Sequence, residues 1–230
     1  MLAGKKVVVV GGSSGIGLAT AEMAKAQGAE VVIASRSADK VKAAAAKVGA
    51  KGIPADVTND QSVVDLFRAC GAVDHVVVSA AQLRTGPFKT VAMDDVRATL
   101  EAKLWGAWRC ARTAEIKPGG SLTLVSGFLS IRPRPNSAIV SAANGALESL
   151  TRALALELAP IRVNAIHPGQ VGDTPAWASK PQAVLDNLKS RTALGRLVTI
   201  DDVTHAAVFL LENRGVTGVN LRVDGGRMMK

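Results

Sequence analysis

The sequence contains no tyrosine, and its three tryptophans and four phenylalanines make up an aromatic content of only 3%. That scarcity excludes a base-stacking surface for single-stranded nucleic acid. It also leaves no phenol anywhere in the chain to act as a proton donor. Cysteine is equally sparse. Cys70 and Cys110 stand apart, with no CxxC or Cys/His spacing, so each is expected to be a buried reduced thiol, and no metal site is expected. No apolar run reaches the roughly eighteen residues of a membrane-spanning helix, and the opening MLAGKKVVVV lacks the length and cleavage pattern of a secretory leader. The chain is therefore expected to be soluble and cytoplasmic, with no membrane partner.

What is present points to one globular unit. The chain has 230 residues, of which 48% are hydrophobic, enough to bury a sizeable core in a single α/β domain spanning residues 1–230. Lys+Arg exceed Asp+Glu by 28 to 19, a net charge of +9, which attracts anions. The basic residues are scattered rather than clustered, and with so few aromatics no nucleic-acid partner is expected.

The dominant rhythm is a short β-branched run, a glycine or polar turn, and an alanine-rich helical stretch, which is how parallel βαβ units read. Strands are expected at Lys6–Val10, Glu30–Ala34, Gly52–Pro54, Val73–Val78, Leu122–Val125, Ile161–Ile166 and Leu221–Val223. Helices are expected at Gly15–Gln27, Ala38–Val48, Asp60–Cys70, Asp94–Thr113, Ala138–Ala159 and Asp201–Leu211. With right-handed crossovers these units build a doubly wound, Rossmann-like α/β fold with a parallel seven-stranded sheet and helices on both faces. The stretch 168–196 shows no clear period and is read as a substrate loop.

The first strand, Val7-Val8-Val9-Val10, runs directly into Gly11-Gly12-Ser13-Ser14-Gly15-Ile16-Gly17 and then a helix. Gly11 permits the tight turn, Gly15 lets backbone N–H groups approach a pyrophosphate, and Gly17 allows close helix-to-sheet packing. The helix N-terminus favours the anion. The second strand ends in Ser35-Arg36-Ser37, without the acidic residue that NAD-preferring domains place there for the ribose hydroxyls. Arg36 can instead pair with a 2′-phosphate, with Ser13 and Ser14 on the neighbouring loop donating hydrogen bonds to it. The expected cofactor is NADP(H).

These residues, together with ADVT at 55–58, RVNAIHPG at 162–169 and VDGG at 223–226, resemble the short-chain dehydrogenase/reductase family across essentially the whole chain. The resemblance implies that Asp56 and Val57 flank the adenine and that Ala80 and Ala81 line the ribose. It further implies that Pro168, Gly169, Val171 and Thr174 embrace the nicotinamide, and that Ile16, within the glycine loop, belongs to the same site. It implies a homodimer or homotetramer built through the helix 138–159 and its predecessor.

The chemistry departs from the family pattern. The family's Tyr-x-x-x-Lys pair falls on Val140 and Asn144, its serine on Gly127 beside Ser126, and its helix asparagine on Lys103. Valine cannot ionise, and asparagine carries no charge, although its amide can bond a ribose hydroxyl. Hydride transfer belongs to the cofactor, so the protein must supply only positioning and a proton or charge stabilisation. Lys103 is the first candidate for that role, because partial desolvation would lower its pKa toward acid–base work. Ser126 can orient the acceptor oxygen, and Asn144 can hold the ribose. His167 reads as a hydrogen-bonding structural residue. Arg132 and Arg134 follow the fifth strand and can meet an acidic substrate. Trp105 and Trp108 read as packing residues on opposite sides of their helix turn.

The expected function is an NADP(H)-dependent oxidoreductase acting on a small carbonyl or imine with a non-tyrosine proton source. The alternative is a catalytically silent NADP(H)-binding sensor or interaction protein.

Overall fold

The computed structural model describes residues 2–174, 177 and 179–230. Its core is a parallel sheet of β1 (Lys6–Val10), β2 (Glu30–Ser35), β3 (Lys51–Pro54), β4 (Val73–Val78), β5 (Ile116–Val125), β6 (Arg162–Pro168) and β7 (Asn220–Val223), in the order β3-β2-β1-β4-β5-β6-β7. The strands read as unbroken apolar runs because both faces are covered. Val7, Val8, Val9 and Val10 are all fully buried, and alternate residues enter different cores. Val8 and Val10 pack with Phe67, Cys110 and Leu147, which lie on α3 (Asp60–Cys70), α5 (Gly106–Thr113) and α6 (Ala138–Glu157). Val7 and Val9 pack with Ala21, Ala44 and Val208 on the opposite face, on α1 (Gly15–Ala26), α2 (Ala38–Val48) and α8 (Ile200–Glu212).

All seven strands fall where the sequence places them, and the doubly wound class holds. β5 starts six residues earlier than expected, because the polar turn-like stretch Lys117-Pro118-Gly119-Gly120 is accommodated by a register irregularity against β4 between Val73 and His75. The expected helix Asp94–Thr113 is present as α4 (Met93–Leu100), a wider π-helical turn over Glu101–Trp105, and α5. Such turns insert an extra residue and re-aim side chains, often at functional sites.

Two expectations need correction. The stretch 168–196 contains α7 (Gln182–Ser190). None of its residues is fully buried, so it has no core-facing stripe to announce it in the sequence. Trp105 and Trp108 do not point apart. Their rings meet edge to face at 6.2 Å, as a spacing of three on a helix allows, and each is 45% exposed. Cys70 and Cys110 are buried free thiols, and burial pushes Cys110 up to about 12. No helix among the described residues is long and apolar enough to cross a membrane.

The order reversal between β2-β1 and β4-β5 opens a crevice at the carboxyl ends of β1 and β4, the place where ligands bind in sheets of this type.

Candidate functional site

α1 begins at that crevice. Its N-cap, Ser14, has extended backbone and makes no side-chain cap, and the first turn carries no acidic residue. The helix therefore presents uncapped N–H groups and a positive dipole end to whatever occupies the cleft. Gly15 sits at φ +53°, and a Cβ built there would meet nothing within 4 Å. That open space is the cradle a phosphate needs. Gly17 serves the loop instead of lining the cleft. A Cβ on it would stand 2.3 Å from the Gly11 carbonyl oxygen, so only glycine lets the helix lie against the turn.

The cleft above this loop has a volume of about 550 Å³ and is lined by Gly11, Ser13, Ser14, Ser35, Arg36, Asp56, Val57, Ala80 and Ala81. Ser35 Oγ donates to Ser13 Oγ at 2.8 Å, tying the strand end to the glycine loop. Arg36 Nη1 donates to Gln82 Oε1 at 3.1 Å across the cleft. Asp56 accepts from the Thr58 N–H and hydroxyl at 2.9 and 2.8 Å, which fixes the turn after β3. Lys40 and Gln82 also line the cleft and were missed in the sequence. The available signal for Lys40 was its place in the first turn of α2, where side chains lean back toward the helix N-terminus.

A second cavity of about 290 Å³ adjoins the first, sharing Ser79 and Ala81. Ile16, Ala81, Lys103, Ser126, Asn144, Pro168 and Gly169 line it, as does Gln170 from the same segment as Pro168 and Gly169. Val171 and Thr174 line neither cavity. Val171 is drawn into a bridge with Val198 and packs with Ile166 and Leu210, and Thr174 Oγ1 donates to the Val171 carbonyl at 3.0 Å.

Lys103 comes to this cavity from the π-helical turn and is only 5% exposed. Its Nζ donates to the carbonyl oxygens of Ser126 at 3.1 Å and Val125 at 3.3 Å. An ammonium has three N–H donors, so one remains for the cavity. Burial disfavours the charged form and lowers Lys103 to about 8, a value suited to giving and taking protons near neutrality.

Val140, Asn144 and Gly127 stand close together at the cavity wall. Val140 is buried at the wall. Asn144 is 2% exposed, and its main-chain oxygen accepts from Ser126 Oγ at 3.2 Å. A Cβ on Gly127 would lie 2.9 Å from Asn144 Nδ2, so a side chain there would have to push the Asn144 amide aside. Gly127→Ser is expected to destabilise the fold by about 1–3 kcal/mol through overpacking. Chemical denaturation would read this, with the loss relieved when Asn144 is also reduced to alanine.

Asn144 Oδ1 and Gln170 Oε1 are buried without a hydrogen-bond partner among the described residues. Orphaned buried acceptors call for donors on a bound molecule, and ribose hydroxyls and a carboxamide NH₂ are such donors. The nicotinamide half of a dinucleotide therefore fits this cavity, as its phosphates fit the loop.

His167 lines neither cavity. It is fully buried, with Nε2 3.3 Å from Asn220 Oδ1 and Nδ1 3.4 Å from Glu148 Oε1. Burial holds its pKa below the ordinary value despite that carboxylate, which suits a structural residue. Arg132 donates to the carbonyls of Arg227 and Lys230 and so pins the C-terminal segment.

Comparison with known proteins follows the same lines. A family model described as enoyl-(acyl carrier protein) reductase matches residues 10–227. The chain is 32% identical to human 3-oxoacyl-[acyl-carrier-protein] reductase, covering 96% of this chain and 97% of that protein. It is 31% identical to the short-chain dehydrogenase/reductase ATR9 of Stachybotrys chlorohalonatus, covering 99% and 98%. Among solved structures, a blue fluorescent protein from a metagenomic library in complex with NADPH superposes with a TM-score of 0.91 at 28% identity, covering 98% of each chain. With the strand order, the glycine loop and the paired cavities, these matches establish that the chain belongs to the short-chain dehydrogenase/reductase family of nicotinamide-dependent oxidoreductases.

Proposed function

We propose that this protein is an NADP(H)-dependent oxidoreductase that moves hydride to or from a small carbonyl or imine carbon, with Lys103 taking the place of a phenol as proton donor. The observation that carries the reading is the Lys103 ammonium, buried beside the cavity wall, anchored by two carbonyls and left with one N–H for the cavity. Arg36 and Lys40 in the first cleft, which Lys103 does not line, supply the charge for a 2′-phosphate, and Ser13 and Ser35 supply hydroxyls.

When bound, NADPH supplies the hydride. The chain's own residues do the rest. Asn144 Oδ1 and Gln170 Oε1, buried without partners among the described residues, would accept hydrogen bonds from the nicotinamide half. Ser126 acts through Asn144, whose carbonyl its hydroxyl holds. Lys103 Nζ gives a proton to the substrate oxygen or nitrogen as negative charge develops there, and it regains one from water. Apolar walls at Phe128 and Val140 lower the polarity around the acceptor and strengthen that interaction. The exposed Trp105–Trp108 pair supports assembly of subunits through the helix that carries Lys103 and through α6.

The direct test is NADPH oxidation across a panel of ketones, aldehydes and cyclic imines. Turnover of at least one class above the cofactor-alone rate is expected. Tight NADPH binding with no turnover of any class at any pH would replace this reading with that of a silent sensor.

A further inference from the structure

The second cavity has an unusual charge balance. Among the described residues two cations, Lys103 and Arg134, line it, and no aspartate or glutamate does. Glu148 lies behind the wall against His167. The two cations are differently committed. Lys103 is held by backbone carbonyls deep in the cavity. Arg134 has no carboxylate partner among the described residues, and its guanidinium stands 5.9 Å from the centre of the Trp177 ring.

Arg134 is also held in place. It lies between Pro133 and Pro135, which restrict the backbone on either side. Its N–H donates to Ser137 Oγ at 3.0 Å, and that hydroxyl donates back to the Arg134 carbonyl at 2.6 Å. Asn136 carries the positive φ that closes the turn, and its carbonyl accepts from Gly86 N–H. The braced main chain therefore brings an exposed guanidinium, with the Trp177 ring beside it and no carboxylate partner among the described residues, to the rim of a largely apolar cavity. Arg132, two residues away, is already engaged by the C-terminal carbonyls.

A planar guanidinium without a protein carboxylate is the complement of a carboxylate on a ligand. We propose that the substrate is a small carbonyl or imine compound bearing a carboxylate, with the carboxylate on Arg134 and the reacting group toward Lys103. The cavity of about 290 Å³ is at the small end of ligand sites and the nicotinamide half takes part of it, which restricts the substrate to a compact acid. This rests on the reductase reading for the reaction, and on Arg134 alone for the charge preference.

Two measurements separate these dependences. The first is calorimetric titration of benzoate and of benzamide into the protein loaded with NADP⁺. Benzoate is expected to bind about 10- to 100-fold more tightly, a difference lost in Arg134→Gln and partly kept in Arg134→Lys. Benzoate that binds no better than benzamide, including no binding of either, overturns the proposal, as does a preference unchanged in Arg134→Gln. The second is turnover of 4-carboxybenzaldehyde against 4-formylbenzamide with NADPH, where the same ratio is expected in kcat/KM. Benzoate selectivity without turnover of either aldehyde would tell against the reductase reading while leaving the carboxylate site standing.

Discussion

Replacing Lys103 by methionine is expected to lower kcat/KM on any substrate the panel reveals by about 10²- to 10⁴-fold, the usual contribution of a positioned acid or base. NADPH affinity should fall much less than kcat/KM, because Lys103 lines only the cavity of the nicotinamide half and not the cleft that takes the rest of the dinucleotide. Methionine matches the lysine stem in length and removes a buried charge, a change that is often neutral or favourable to stability. Against that, the Val125 and Ser126 carbonyls lose a donor, so a modest net effect on the fold is expected. Lys103→Arg sharpens the test. Arginine keeps the positive charge but stays protonated at all accessible pH values. It would restore the rate if Lys103 works only by electrostatic attraction, and it would fail if a proton must be transferred. The account expects failure. Steady-state kinetics with a parallel fluorescence titration of NADPH measures both quantities.

Arg36→Ala is expected to weaken NADPH binding by about 10- to 100-fold, corresponding to the loss of one or two charge-assisted hydrogen bonds, while NADH binding changes little. Arg36→Asp should go further and reverse the preference, since a carboxylate repels the 2′-phosphate and accepts from ribose hydroxyls. The residual preference of Arg36→Ala for NADPH over NADH is expected to disappear when Lys40 is also neutralised, because both residues line the cleft. Gln82 loses its Arg36 partner in each variant, but its amide is partly exposed and water replaces the bond at small cost. Paired titrations with NADPH and NADH read the result. Equal weakening of both cofactors would mean that Arg36 shapes the pocket without selecting the phosphate.

The fold was legible because burial on both faces of the sheet forces continuous valine and isoleucine runs, and Val7–Val10 leave little room for another reading. The glycine loop was legible for a related reason, since Gly17 is dictated by backbone contact and not by side-chain preference. Elements that owe little to burial were harder to read. α7 has no buried stripe, and the early part of β5 carries a proline and two glycines that read as a turn.

In the site, position was more legible than state. Sequence placed Lys103 and Asn144 at the cavity, and the structure brings both there. Nothing in the sequence distinguishes a buried lysine from one that reaches solvent. The π-helical turn and the two receiving carbonyls become visible only in three dimensions. The same applies to the close approach of position 127 to Asn144 Nδ2. Val171 illustrates the opposite case. The family pattern points it at the nicotinamide, whereas the bridge to Val198 leaves its side chain in the core.

The most direct test is the pH dependence of single-turnover hydride transfer from NADPH, followed from about pH 6 to about pH 10, a range that brackets the titration of a desolvated lysine. Burial lowers Lys103 to about 8, so its acid form is present below that pH and is lost above it. Reduction should therefore be fast on the acidic side and fall about tenfold per pH unit once the lysine deprotonates. Oxidation in the reverse direction should rise through the same midpoint. A rate that stays flat through pH 8 to 10, or a falling limb that persists unchanged in Lys103→Met, would contradict Lys103 as the proton source.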